Sequence, residues 1–285
     1  MVANTSLSVV KVTIEAPVVS FRYPHFLIGR QPTFDMPPPS TIIGHIASAL
    51  GEWPDFPLQF AYSFTYRSRC SDLEHQHIIE RKGGDFPGKI QDPHWREPEP
   101  EPGKKLTKDQ KKPKLLQRTT EATVQPHLRD FLFDVRLELF LSPADLDSAF
   151  RSPVFTVVLG RSQDLACVRS IRRMELERAT SGYVEHTILP VDFRRRLPWG
   201  ITSLMPQHID PTPERLARFA PYIVLRERVY LGMKDIQTQK TIYTINGKAE
   251  EAWFVDPDAP EDRGARKLLW FHSADPRERL HESIR

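Results

Sequence analysis

The chain has few of the residues on which several protein classes depend. Its 285 residues include only two cysteines, Cys70 and Cys167, too few for a disulfide framework and suited to a reducing compartment. No uninterrupted apolar stretch approaches the ~20 residues that a membrane-crossing helix requires. The opening MVANTSLSVVKVTIEAP lacks the charged-then-apolar order of a secretory signal, so a cytoplasmic chain without membrane contact is expected. An excess of one charge is lacking too. Forty Lys+Arg against 37 Asp+Glu leave +3, and any affinity for nucleic acid must come from where the charges cluster. Glycine is scarce, at 13, whereas the 26 prolines are about twice the ordinary share and imply extended segments and fixed turns. Hydrophobic residues, at 39%, are enough for a core and speak against wholesale disorder.

Chemical signatures are equally sparse. There is no GxSxG elbow for a serine nucleophile, no GxxxxGK[ST] phosphate loop, and no CxxC or HExxH. His75 and His77 would share one face of an extended segment near Cys70, but zinc calls for three or four ligands at recognisable spacing. A solvated strand end explains them better, and no metal or other cofactor is expected. No internal repeat is visible.

What is present reads as alternating strands and helices. Residues 9–15 are β-branched and partly alternating, as a strand requires. RYPHFLIGRQPTFDMPPPS follows, with prolines at 24, 32 and 37 to 39 that exclude helix. Ser40 or Thr41 is then a natural N-cap, and Ile42, Ile43, Ile46, Ala47, Ala49 and Leu50 keep helical spacing until Gly51. Residues 56–69 alternate around Phe60, Tyr62, Phe64 and Tyr66 and predict a strand. Residues 131–141 predict another, then a short helix opening at Pro143 and a strand over 154–159. The order strand, helix, strand, strand, helix, strand is the ferredoxin-like arrangement of RNA-recognition modules, an α+β fold. The second and third strands are separated by residues 83–118, rich in Pro, Gly and charge, with an acidic half around Glu97, Glu99 and Glu101 and a basic half from Lys104. This composition predicts a protruding insertion. The domain reading is 1–178 for the ferredoxin-like domain, 179–255 for a small β-rich lobe and 256–285 for a charged tail.

RNA binding without chemistry has the most support. Single-stranded RNA is held by cations on phosphates and by aromatic rings on unstacked bases. The first loop offers Phe21, Arg22, Tyr23, Phe26, Arg30 and Phe34. The insertion offers Trp95 and His94 beside Lys104, Lys105, Lys108, Lys111, Lys112 and Lys114. Basic clusters also stand at Arg169, Arg172 and Arg173 and at Arg194, Arg195 and Arg196, where ion pairing is an equal reading. The competing class is a metal-independent endoribonuclease, which needs a base, an acid and a cation around the ribose. Tyr23 and His25, with Lys82 or Lys89, are its nearest candidates. A protein-interaction scaffold without RNA contact is the third reading.

Two segments resemble a known family. Ser20-Phe21-Arg22 followed by QPTFDMPPPSTIIGHIASALG, residues 31–51, is similar to the N-terminal signature of the CRISPR-associated Cas-five family. LGRSQDLA, residues 159–166, resembles that family's Leu-Gly-Arg-Ser segment. The resemblance implies a RAMP-superfamily subunit of a type I Cascade, the RNA-guided surveillance complex. Such a subunit holds the 5′ handle of the crRNA under an inserted thumb, here 83–118. It contacts the backbone and large subunits and meets target DNA only through the complex, in antiviral defence or CRISPR-associated transposition. It further implies handle contacts from Arg22, Arg30, Gln31, Arg161 and Ser162, with a phosphate received by the start of the Ser40-Thr41 helix. In most members the subunit binds and does not cut; one subtype processes the precursor with Tyr, His and Lys. A non-catalytic subunit is expected here.

Overall fold

The computed structural model describes residues 6–26, 29–79, 89–91, 98–100, 102–111, 115–117, 122–195, 197, 199–212, 215–232, 243–245 and 253–274. In chain order the elements are β1 (Ser6–Val19), β2 (Arg30–Gln31), α1 (Pro39–Leu50), β3 (Leu58–Ile79), β4 (Lys89–Gln91), β5 (Leu115–Gln117) and β6 (Ala122–Ser142). A 3-10 turn (Ala144–Leu146), α2 (Asp147–Arg151), β7 (Cys167–Ala179), β8 (Gly182–Val184), β9 (Thr187–Pro190) and a second 3-10 turn (Val191–Arg195) follow. The chain continues with β10 (Ile201–Ile209), β11 (Ala217–Leu225), β12 (Val229–Leu231), β13 (Tyr243–Ile245), β14 (Trp253–Val255), β15 (Leu268–Leu269) and β16 (His272–Ala274). The molecule is strand-rich with few helices. Among the described residues no helix is long and apolar enough to cross a membrane.

Two compact units divide the chain. One comprises Met1–Phe26, Pro32–Ser71 and Asp130–Arg285, the other Leu27–Gln31 and Asp72–Arg129. The main sheet runs β15-β14-β7-β1-β6-β3-β16, with β2 beside β6. Its centre is β1, antiparallel to β6 (Val12 opposite Leu139) and to β7 (Val12 opposite Ile171). Because successive side chains point to opposite faces, Val10, Val12 and Ile14 join Ile42 and Ile46 of α1 in the main core, whereas Val9 packs with Phe140, Leu176 and Phe254 on the other face. Burial on both faces explains why the alternation of residues 9–15 is only partial.

α1 starts and stops for local reasons. Pro39 sits at its first position, where a missing N–H is harmless, and Gly51 closes it in the left-handed region at φ 86°. The N-cap is Pro38, without a side-chain cap, rather than Ser40 or Thr41.

Three expectations are corrected. The strand expected over 154–159 is absent: the next strand after α2 is β7, and residues 154–166 contribute only a bridge between Val158 and Leu165. β7 hides in the sequence because its charged residues are exposed while Leu176 alone is fully buried. No separate lobe begins at 179, because Met205, Tyr222 and Val224 lie in the same core as Val12 and Ile46. Residues 256–274 are no charged tail. Asp256 and Asp258 both bond the buried Lys11 of β1, Arg172 of β7 pairs with Asp258, and β16 pairs with Leu58–Phe60 of β3. The apparent solvated charges are partners for charges on the sheet.

His272 of β16 is buried against Phe60, with ring centroids 5.4 Å apart, and burial pushes its pKa down to about 4. A histidine whose folded pKa lies below its unfolded value stays neutral in the native state. Stability is therefore expected to fall as pH drops from 6.5 towards 4, by up to about 1.4 kcal/mol per unit from this group. Urea midpoints across this range should show a slope that His272→Phe flattens; an equal slope in the variant assigns the effect elsewhere.

Candidate nucleic-acid interface

The loop between β1 and α1 is tied at its base by backbone pairing. The Phe34 amide donates to the Phe21 carbonyl at 2.8 Å, the Phe21 amide donates to Thr33 Oγ1 at 2.8 Å, and the Tyr23 amide donates to the Pro32 carbonyl at 3.2 Å. Phe21 is 3% exposed and packs edge-on against Phe64 at 5.5 Å. It is a core residue, and its assignment as a base-stacking ring is withdrawn because no face of it reaches solvent. Tyr23 is half-buried, stacked on Phe34 with centroids 3.8 Å apart and planes 26° apart, and Phe26 stands edge-on to it at 6.1 Å and is 50% exposed. Arg22 lies between these rings in sequence and is exposed.

Asp164 anchors this loop to the Gly-Arg-Ser segment. Its Oδ2 accepts from the Ser20 amide at 2.9 Å and from the Arg161 amide at 3.0 Å, and the Arg161 guanidinium reaches Oδ1 at 2.7 Å. Gly160 permits the approach at φ +105°, where an added Cβ would stand 2.9 Å from the Ser20 carbonyl oxygen and 3.0 Å from Asp164 Oδ2. Gly160→Ala is expected to lose about 1–3 kcal/mol to backbone strain; a thermal midpoint equal to that of the parent chain would show that the turn has another conformation open to it. Arg161 is thus held by Asp164 through its Nε and one terminal nitrogen. Ser162 beside it is exposed.

The start of α1 is not a seat for phosphate. Pro39 has no N–H, the Thr41 and Ile42 amides both point to the Pro38 carbonyl, at 2.9 and 3.2 Å, and Ser40 is buried. The row of open amides that anion binding requires is therefore missing here, and the assignment of Ser40 and Thr41 is corrected on that ground.

In the second unit, Arg30 and Gln31 pair in parallel with Leu128 and Arg129. Arg30 is exposed and Gln31 is fully buried, so Gln31 has no surface to offer RNA. Lys89 pairs with Gln117 in a short antiparallel ladder of β4 and β5. Lys104, Lys105 and Lys111 are exposed on a turn-rich segment, where Thr107 and Gln110 hydrogen-bond each other. Trp95 and Lys112 lie outside the described residues. Cys70, His75 and Cys167 are exposed, and among the described residues no group of three or more His, Cys, Asp or Glu is placed to hold a metal ion.

Sequence reasoning missed a cluster at the loop's edge. Asp35 accepts from the Tyr66 hydroxyl at 2.8 Å and pairs with Arg69 at 3.3 Å, while Arg69 also bonds the Thr33 carbonyl. The Arg226 guanidinium lies 5.0 Å over the Tyr66 ring. Burial and the Asp35 carboxylate push the Tyr66 pKa up to about 12, which unsuits this tyrosine to proton abstraction at neutral pH. Asp164 had a signal, standing three residues after Arg161 in LGRSQD. Arg226 had none, because its place beside Tyr66 depends on contacts between β3 and the segment after β11.

A strand-rich α+β sheet whose first loop is pinned to a Gly-Arg-Ser turn defines the class of this protein. Residues 9–212 match the family described as CRISPR-associated protein (Cas_Cas5), over more than half of the chain. The chain belongs to this family. A solved chain described as a CRISPR RNA-guided surveillance complex is similar in structure, at 15% identity and a TM-score of 0.42, with 78% of this chain and 90% of that chain covered. No curated protein matches the sequence significantly.

Proposed function

We propose that this chain is the subunit of a cytoplasmic type I Cascade that holds the 5′ handle of the crRNA without cutting it and joins the large subunit to the backbone. The observation that carries the reading is the pinned segment 20–26, which presents Arg22, Tyr23 and Phe26 from a base held by Asp164. Cations for phosphates and rings for unstacked bases are what single-stranded RNA needs. Holding such a loop in one conformation before binding lowers the ordering cost of the complex. We read β1, α1, β3, β6, α2 and β7 as the ferredoxin-like core, supported by the sheet order β7-β1-β6-β3. Residues 83–118 are read as the thumb, with Lys104, Lys105 and Lys111 as its RNA contacts, and Arg30 as a contact from the first loop.

Incubation with labelled repeat RNA in EDTA tests both parts. Retention without cleavage supports the handle-binding subunit, and a discrete cut leaving a cyclic phosphate overturns the non-catalytic reading. Arg22→Ala is expected to weaken retention several-fold and to lower the salt slope by about 0.7, the share of one phosphate contact on a single strand. An unchanged slope would remove Arg22 from the interface.

A further inference from the structure

Arg226 follows β11 and is brought beside β3 by backbone contacts. The Phe64 amide donates to the His186 carbonyl at 2.8 Å, and the next residue, Thr187, pairs with Leu225. This register sets Arg226 against Tyr66, with its guanidinium 5.0 Å from the ring centroid. A second series of contacts joins Tyr66 to the loop after β1. The Tyr66 hydroxyl donates to Asp35 at 2.8 Å, Asp35 pairs with Arg69 at 3.3 Å, Arg69 donates to the Thr33 carbonyl, and Thr33 forms a bridge with Arg22. Connected contacts thus lead from Arg22 to Arg226. Both arginines are exposed, and neither makes an ion pair among the described residues.

The other charges near Arg226 leave it available. Asp35 shares its charge with Arg69 and the Tyr66 hydroxyl. Glu185 gives both carboxylate oxygens to Arg228, at 2.8 and 2.9 Å, and burial holds the adjacent His186 imidazole below its usual range, so that it is neutral near pH 7. Glu227 is exposed, where water and salt screen it. A guanidinium resting on an aromatic ring keeps N–H groups open for the oxygens of a phosphate, and the ring reduces the freedom it loses on binding. We propose that Arg226 is a second phosphate contact for the RNA strand, beyond Arg22, with Tyr66 as the residue that positions it. Asp35, fixed between them, repels phosphate and leaves the charges of the strand to the two arginines. The inference rests on the handle-binding reading for the identity of the strand.

Titration of the full chain with fluorescent repeat RNA, between about 50 and 200 mM salt, tests the contact. Arg226→Ala is expected to weaken binding several-fold and to lower the salt slope by about 0.7, and the double variant with Arg22→Ala to lower it by about 1.4. Arg226→Lys keeps the charge and should keep the slope. Should Arg226→Ala not fold, Arg226→Gln, which drops the charge and keeps a stem over Tyr66, carries the same expectation. Arg195→Ala, at an exposed arginine of the second 3-10 turn, is the control and should leave the slope unchanged. An equal loss there would assign the effect to net charge and overturn the contact, as would a slope indifferent to Arg226. A parent chain that retains RNA with such a slope removes Arg226 alone, whereas a parent that retains no RNA removes the handle reading and this contact with it.

Discussion

Lys11→Ala is expected to lower the free energy of unfolding by about 3–5 kcal/mol, the range for a buried ion pair that loses one partner. Lys11 sits in the centre of β1, 6% exposed, with its ammonium 3.2 Å from Asp256 and 3.3 Å from Asp258. The Asp256 side chain is 1% exposed, so removing the ammonium strands a carboxylate beyond the reach of water. Asp256 also shapes its own turn, accepting from the Asp258 amide at 3.0 Å. Asp256→Asn keeps that acceptor and discards the charge. The double variant Lys11→Met with Asp256→Asn should therefore be less destabilised than the sum of the single variants, by about 1–3 kcal/mol. Urea unfolding of the four proteins measures the coupling; strict additivity would show that the pair does not fasten residues 256–274 to the sheet.

The second large effect is expected at Asp164. Asp164→Ala leaves the Ser20 and Arg161 amides without their acceptor and the Arg161 guanidinium without its carboxylate. The residue is 3% exposed, and the loss is expected to reach about 3–5 kcal/mol. Asp164→Asn retains one acceptor oxygen and should lose less. Below the melting temperature, both variants should retain repeat RNA less well than the parent, because the loop that presents Arg22 is hinged at Ser20. A stability loss with unchanged RNA retention would separate the turn from the interface. The same pair of variants tests whether Arg161 acts through Asp164, since Arg161→Ala should then mimic Asp164→Asn in stability.

The geometry also changes the meaning of several basic residues. Arg172 pairs with Asp258, Arg169 with Glu15 and Arg136 with Glu15 and Glu138, so this face of the sheet balances its own charge. A surface neutralised in this way gives little long-range attraction to a polyanion. Among the described residues, the loop after β1 is one place where exposed cations and rings coincide.

The candidate site was half legible. Arg22 and Tyr23 could be read as interface residues because a cation and aromatic rings alternate in a proline-rich stretch that cannot be helix. Phe21 could not be told from them by type. Only the register that places it against Phe64 shows it to be core. Asp164 stood within a recognisable segment, yet its role as the acceptor for Ser20 joins residues 144 positions apart.

What the sequence by itself determined is what short-range physics controls. Prolines restrict φ and end the loop at α1, isoleucines at helical spacing give α1 its buried side, Gly51 supplies the left-handed stop, and the β-branched run makes β1 extended. Only the tertiary structure decided that β7 lies beside β1, that β16 extends the sheet at β3, and that the charges after residue 255 face Lys11 and Arg172. These are pairings between distant segments. A charged residue has the same local preferences whether water or a buried partner awaits it, so its fate is settled only when the sheet brings that partner within about 3 Å.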